Sequence, residues 1–270
     1  MARESVREPA IWRVWITALL NIVHANTERL LLGQEEVKSL LTLVRIHVPP
    51  ITGDPGSGVT SHVKPDLVWN YVIENHKNWR SKEVKLLYMT HRHLQDDTSL
   101  IVDAASSDAL AGFLAKHIAP LDHVRGIWVL NLARMRFFKL PEERPRDFSR
   151  FTVTIDAVPK HMDRIYESIS AFKPGRDVIV NYIAQTFQSF SASIMASVLA
   201  RSRNHMETFV EQYIRPLKGV ASLETTYISR TIRLVSPEEW QESIGPYITA
   251  PGGNRLDDID ADDDSLMAGC

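Results

Sequence analysis

The sequence predicts an α+β protein made of two βαββαβ units in tandem that close into a barrel, with a helical extension in front. Three observations carry the prediction: the chain repeats itself, each repeat gives strand and helix signals in the same order, and the length suits two small domains. At 270 residues the chain is long for one domain, since domains centre on roughly 100 to 200 residues. The repeat has an offset of 96 residues, so that FLAKHIAPLDHVRGIWVLNLARMRFFKL from Phe113 aligns with FVEQYIRPLKGVASLETTYISRTIRLV from Phe209. Held without gaps, it pairs Phe113 with Phe209, Ile118 with Ile214, Pro120 with Pro216, Leu121 with Leu217, Val84 with Val180, Thr90 with Thr186 and Ala104 with Ala200. Fourteen identities fall in positions 73–138, against roughly four expected from ordinary residue usage.

Residues 1–40 predict an N-terminal helical extension, because Trp12, Trp15, Ile16, Leu19, Leu20 and Val23 recur at helical spacing between Pro9 and Gly33. Its apolar stretch contains Arg13, lacks an Ala-x-Ala cleavage site and is too short to span a bilayer. A helix docked on the body or on a partner subunit is expected. The first unit covers 41–140, with a strand at 41–48, a helix at 65–77, a hairpin from 84–93 and 99–105, a helix at 108–118 and a long strand at 124–140. An inserted loop occupies 49–64, where GDPGSG is turn chemistry without the Lys-Ser/Thr pair of a phosphate loop. PEERPRDFS at 141–149 is a linker.

The second unit covers 150–236. A β-branched strand at 150–158 ends at Pro159, a helix at 160–172 is stopped by Pro174-Gly175, and strands at 177–186 and 190–200 form a second hairpin. A helix at 204–214, with Met206, Phe209, Val210 and Tyr213 on one face, leads to a last strand at 220–235. The order is that of the ferredoxin-like unit. Residues 237–270 are expected to be an acidic, disordered C-terminal tail.

Composition narrows the function classes. With 31 Lys plus Arg against 33 Asp plus Glu, the net charge of -2 gives no overall field for nucleic acid or an anionic membrane. The one cysteine, Cys270, excludes an internal disulfide and a cysteine metal site. It fits a cytoplasmic protein with no integral membrane segment.

The closing segment of each unit resembles the effector-binding domain of the Lrp/AsnC family of transcriptional regulators. Pro216, Leu217, Lys218, Gly219, Val220 and Thr225 or Thr226 match its helix-turn-strand motif, and Pro120, Leu121 and Val124 match in part, with Asp122 and His123 in place of Lys and Gly. The resemblance implies an α+β barrel of the dimeric type, homo-oligomers, and a small effector, commonly an amino acid, bound near the hairpins. The corresponding residues are Asp96, Asp97, Thr98 and Ser99 in the first unit and Gln188, Ser189, Phe190 and Ser191 in the second. The family's Gly and acidic residue are missing from the second hairpin. No helix-turn-helix is recognisable in the first 40 residues, so direct DNA binding is left open. The expected protein is a non-catalytic sensor that self-associates and needs no cofactor.

The alternative is a barrel enzyme. His91 and His93 lie two apart on a strand and so share a face, the geometry of a two-histidine metal or haem site, with Asp96 or His47 as third-ligand candidates. Asp97 and Asp103 also share a face. A third reading is RNA binding through Arg125, Arg134, Arg136 and Lys139, interleaved with Trp128, Phe137 and Phe138. No nucleophile elbow, zincin box or Ser-x-x-Lys arrangement occurs.

Overall fold

The computed structural model describes residues 39–48, 67–79, 81–92, 97–121, 124–138, 147–173, 175–188 and 191–248. The first half runs β1 (Leu40–His47), α1 (Leu67–Asn75), β2 (Val84–Arg92), β3 (Asp97–Ala104), α2 (Ser107–Phe113) and β4 (Gly126–Phe137). The second runs β5 (Ser149–Ala157), α3 (Met162–Ser170), β6 (Val178–Gln188), β7 (Ser191–Ala200), α4 (Arg203–Phe209) and β8 (Val220–Arg233), followed by α5 (Pro237–Ile244). The expected βαββαβ order is therefore present twice. Residues 1–38 of the N-terminal extension and the 49–64 insertion lie outside the described residues; Leu40, the last residue of the expected extension, already opens β1.

Local chemistry repeats with the order. Ser106 and Ser202 cap α2 and α4, each hydroxyl accepting from the backbone N–H three residues on, Ala109 at 3.1 Å and His205 at 3.3 Å. Each helix then widens into a π-helical turn, Leu114–Ile118 and Val210–Ile214, before its proline. Gly219, at φ 99°, makes the turn into β8 in a region that side chains avoid, and a Cβ there would run into the side chain of His161.

The eight strands form one closed antiparallel ring in the order β1-β3-β2-β8-β5-β7-β6-β4. Each half contributes four neighbours, and two seams, β2 with β8 and β4 with β6, join them. Successive neighbours are antiparallel, so β1 and β5 run the same way and both hairpin tips, β2–β3 and β6–β7, sit at one end of the bore. Alternation divides the side chains. Leu40, Val44, Ile46, Leu100, Val102 and Val129 form an outer core under α1 and α2, and Val153, Ile155, Ile165, Ile194, Val198 and Phe209 form its counterpart under α3 and α4. The opposite faces line the bore.

Two expectations need correction. Val84 pairs with Ala104, but it is Val178, not Val180, that pairs with Ala200. The second strands are therefore related by 94 residues while the third strands keep 96, because the two hairpins differ by two residues. Tyr88 thus matches Tyr182. The tail expected from 237 onward begins with an ordered helix: Ser236 and Glu239 form a reciprocal capping box on α5. Trp240, Ile244 and Tyr247 then pack with Leu41, Leu87, Met135 and Ala184 and close the bore at the end opposite the hairpin tips. The Tyr247 hydroxyl donates to the Ser39 carbonyl at 2.6 Å and accepts from the Leu41 N–H at 3.0 Å.

Candidate active site at the open end of the barrel

The apolar plug fills one end of the bore, and the other end is polar. Register explains why. In β1 the bore-facing positions are Leu41, Leu43, Arg45 and His47, and their partners on β3 are Asp103, Ile101, Ser99 and Asp97. Along β1 the wall changes from apolar to charged within one strand, while β3 carries an acid at each end.

At the charged end Asp97, only 2% exposed, accepts from Arg45 Nε at 2.9 Å and meets His47 Nδ1 at 2.5 Å. A buried carboxyl group gripped from both oxygens holds the imidazole with Nδ1 toward it. Nε2 is then left for chemistry, and His47 is 34% exposed. Trp128, opposite Arg45 on β4, sets its ring 5.9 Å from that of His47. Gly126 makes room for this indole, since a Cβ there would lie 2.6 Å from it. The equivalent place in the second half carries Asp156, which accepts from Ser193 at 2.8 Å and Ser222 at 2.5 Å. The two halves thus share a frame, and the His–Asp pair belongs to the first alone.

Arg92, at the end of β2, is 4% exposed. Its Nη1 lies 3.8 Å from Glu224 Oε1, and Arg45 Nη2 lies 3.6 Å from the same oxygen. Nε and Nη1 of Arg92 and Oγ of Ser99 are buried without a hydrogen-bond partner. Burial, and after it the charge of Arg45, pulls Arg92 down to about 10, against Glu224 and Asp97; the guanidinium is still a cation at neutral pH. Arg92 and Ser99 line a cavity of about 20 Å³, together with Leu43, Tyr88, Thr90, Thr152 and Tyr182, room for one or two waters. Burial pushes the Tyr182 hydroxyl well above its usual range, so it remains a protonated donor.

The expected ligand-contact residues divide. Asp97 and Ser99 face the bore, and Thr98, opposite Ile46, faces the outer core. Gln188 and Ser191 pair with each other at the second hairpin tip, across the same open end. Asp96, Ser189 and Phe190 lie outside the described residues. His91 points away from the bore: its ring meets the edge of Trp69 at 6.1 Å, and Nδ1 lies 3.3 Å from Ser229 Oγ. His93 lies outside the described residues. Among the described residues no group of three or more His, Cys, Asp or Glu could hold a metal ion. The bore cavity is far below the several hundred cubic ångströms that a cofactor-sized ligand occupies, so the described residues do not fit a haem there. Asp97 and Asp103 share the bore face but stand at opposite ends of β3. Arg134 and Arg136 are turned to the outer layer, where Arg134 lies 2.6 Å from Asp163 and 3.9 Å from the Tyr166 ring, and Arg136 lies 3.8 Å from Glu167. They bind a helix of their own chain.

No family model matches the chain, and no curated protein matches it. Among solved structures it is similar to an anthrone oxidase-like protein, with 12% identity, TM-score 0.42 and coverage of 74% of this chain and 95% of that one. It is also similar to a variant of chlorite dismutase from Candidatus Nitrospira defluvii, with 12% identity, TM-score 0.41 and coverage of 82% and 99%. A third is a protein named as a monooxygenase from Fusobacterium nucleatum, with 12% identity, TM-score 0.43 and coverage of 74% and 96%. The resemblance to Lrp/AsnC regulators and the sensor expectation built on it are not borne out: no family model of any kind matches the chain, and the similar solved structures named above are not regulators. The residues that carried it, Pro216 to Val220, form a helix-ending turn at Gly219. At this similarity no activity passes from these proteins to the chain. No helix among the described residues is long and apolar enough to cross a membrane.

Arg45, Arg92 and Glu224 were missed by sequence reasoning, and His47 was weighed only as a spare metal ligand. A signal was present: β1 reads LLTLVRIH, where polar residues enter the bore-facing positions only in its last half.

Proposed function

We propose that the chain is a barrel enzyme in which His47 acts as a general base on a small molecule entering the open end of the bore. Two tandem ferredoxin-like units supply in one chain the whole barrel, and only the first keeps the His–Asp pair. The observation that carries the reading is the contact of buried Asp97 with His47 Nδ1 at 2.5 Å. It sets the tautomer that leaves Nε2 as acceptor, and Arg45 holds the carboxylate in place from its other oxygen. A proton leaving a substrate C–H or O–H passes to Nε2, the imidazolium forms against the Asp97 carboxylate, and the proton returns to product or solvent. Of the ligand-contact residues expected from the sequence, Asp97 and Ser99 keep a role here.

The test is deuterium wash-in. Full-length protein in D₂O is incubated with a panel of small carbon acids, namely 2-oxo acids, 1,3-dicarbonyls and polyphenols, and exchange is followed by mass spectrometry. At least one is expected to exchange, and His47→Gln to slow that exchange by about 10²- to 10⁴-fold, the usual share of a positioned base. Asp97→Asn should slow it as well. An unchanged rate in His47→Gln, or no exchange across the panel, would sink the reading.

A further inference from the structure

Deep in the same bore, below His47, two buried groups want an acceptor. Arg92 presents Nε and Nη1 without a hydrogen-bond partner, and Ser99 presents a free Oγ. Both line the cavity of about 20 Å³, with the hydroxyl-bearing side chains of Thr90, Thr152 and Tyr182 around them and Leu43, Ile101 and Met195 beneath. Buried donors without partners are costly, so a fold that keeps three such atoms around one small space is built for something that fills it. An oxygen-rich anion satisfies them all, because every polar side chain on this wall can donate.

We propose that this pocket binds the carboxylate, or an equivalent singly charged oxyanion, of the substrate. The proposal rests on the base reading above and deepens it by naming the substrate class: a small monoanionic acid, held by its charged end at Arg92 and Ser99 with its reactive end toward His47. The single charge follows from the neighbours. Arg45 and Arg92 are already faced by Asp97 and Glu224, with Glu224 within 4 Å of both arginines, so the site has no net positive charge to offer and the repulsion from the two carboxylates doubles for a doubly charged anion. The size follows from the cavity, which admits a head group and leaves the rest of the ligand in the mouth.

Thermal unfolding of the full chain with sodium formate, acetate, sulfate and chloride at constant ionic strength tests the proposal without requiring turnover. Formate and acetate are expected to raise the melting temperature saturably, as ligands of the native state must, and sulfate and chloride to give only a flat salt response. Arg92→Met should abolish the saturable part, Ser99→Ala should weaken it about tenfold, in keeping with one lost hydrogen bond to a charged group, and His47→Gln should leave it in place. Equal shifts for all four salts, or saturable binding that survives Arg92→Met, would overturn the proposal. Should Arg92→Met not fold, Ser99→Ala decides: unchanged affinity overturns it. Loss of the anion response with His47-dependent exchange intact removes the pocket and keeps the base; the converse removes the base and keeps the pocket.

Discussion

At the residue scale, Arg92 shows how the site and the stability of the barrel pull in opposite directions. A guanidinium 4% exposed has lost its water, and Glu224 at 3.8 Å replaces only part of it. Replacing a whole buried ion pair by packed apolar side chains is often stabilising, by about 1–4 kcal/mol, and the penalty for removing one partner alone does not arise here because Glu224 is 42% exposed and takes up water when Arg92 is gone. Arg92→Met is therefore expected to make the protein more stable while it removes anion binding. The pH dependence is set by the direction of the shift. The folded-state value is depressed to about 10, so the unfolded chain holds this proton to higher pH than the native one. The cost is present in full at all pH values below about 10 and is relieved only as pH rises through that value. Denaturant unfolding of Arg92→Met should thus show the same gain at about pH 6 and about pH 9. A loss of stability would mean that the arginine holds the wall together.

At the element scale, α5 decides which end of the bore is open. Its length, eight residues, makes it marginal as an isolated helix, and its order comes from the capping box and from burying Trp240 and Ile244 against the strands. Ser236→Ala removes the cap hydroxyl that accepts the Glu239 N–H at 3.2 Å and is expected to cost about 1 kcal/mol, visible as a lower melting temperature with the anion response unchanged. This helix was legible: Ser-Pro-Glu-Glu is a start signal, hidden by the acidic composition of the 256–264 segment. The strands and their order were legible from β-branched runs and turn residues, because those signals are local. Which face of each strand lines the bore was not, since both faces of β3 are buried throughout and a strand buried on both sides has no polar alternation to read. Arg92 stayed hidden for the same reason: a buried cation and a solvated one are the same letter. The hairpins misled the ungapped repeat because a two-residue difference leaves the alternation intact and moves only the partner.

At the scale of the whole molecule, the barrel is two four-stranded sheets held by the seams β2 with β8 and β4 with β6. Each half alone would expose both of its edge strands, so neither is expected to remain a free monomer. The open end also needs both halves, since Arg45, Arg92, Asp97 and Ser99 come from the first and Glu224 and Thr152 from the second. Cutting the chain between the halves, through a protease site placed in the 141–146 segment, tests this division. The seams keep their hydrogen bonds after the cut, so the nicked protein should migrate as one particle of the full mass under native conditions. What changes is the tether. A linker of this kind holds the halves at an effective concentration in the millimolar range, and without it the melting temperature should fall on dilution, as it does for any associating pair. Formate should shift that dilution curve toward association, because its site exists only when the ring is closed. Halves that separate on native gel filtration at micromolar concentration, or a melting temperature indifferent to dilution, would show that the two sheets do not act as partners across these seams.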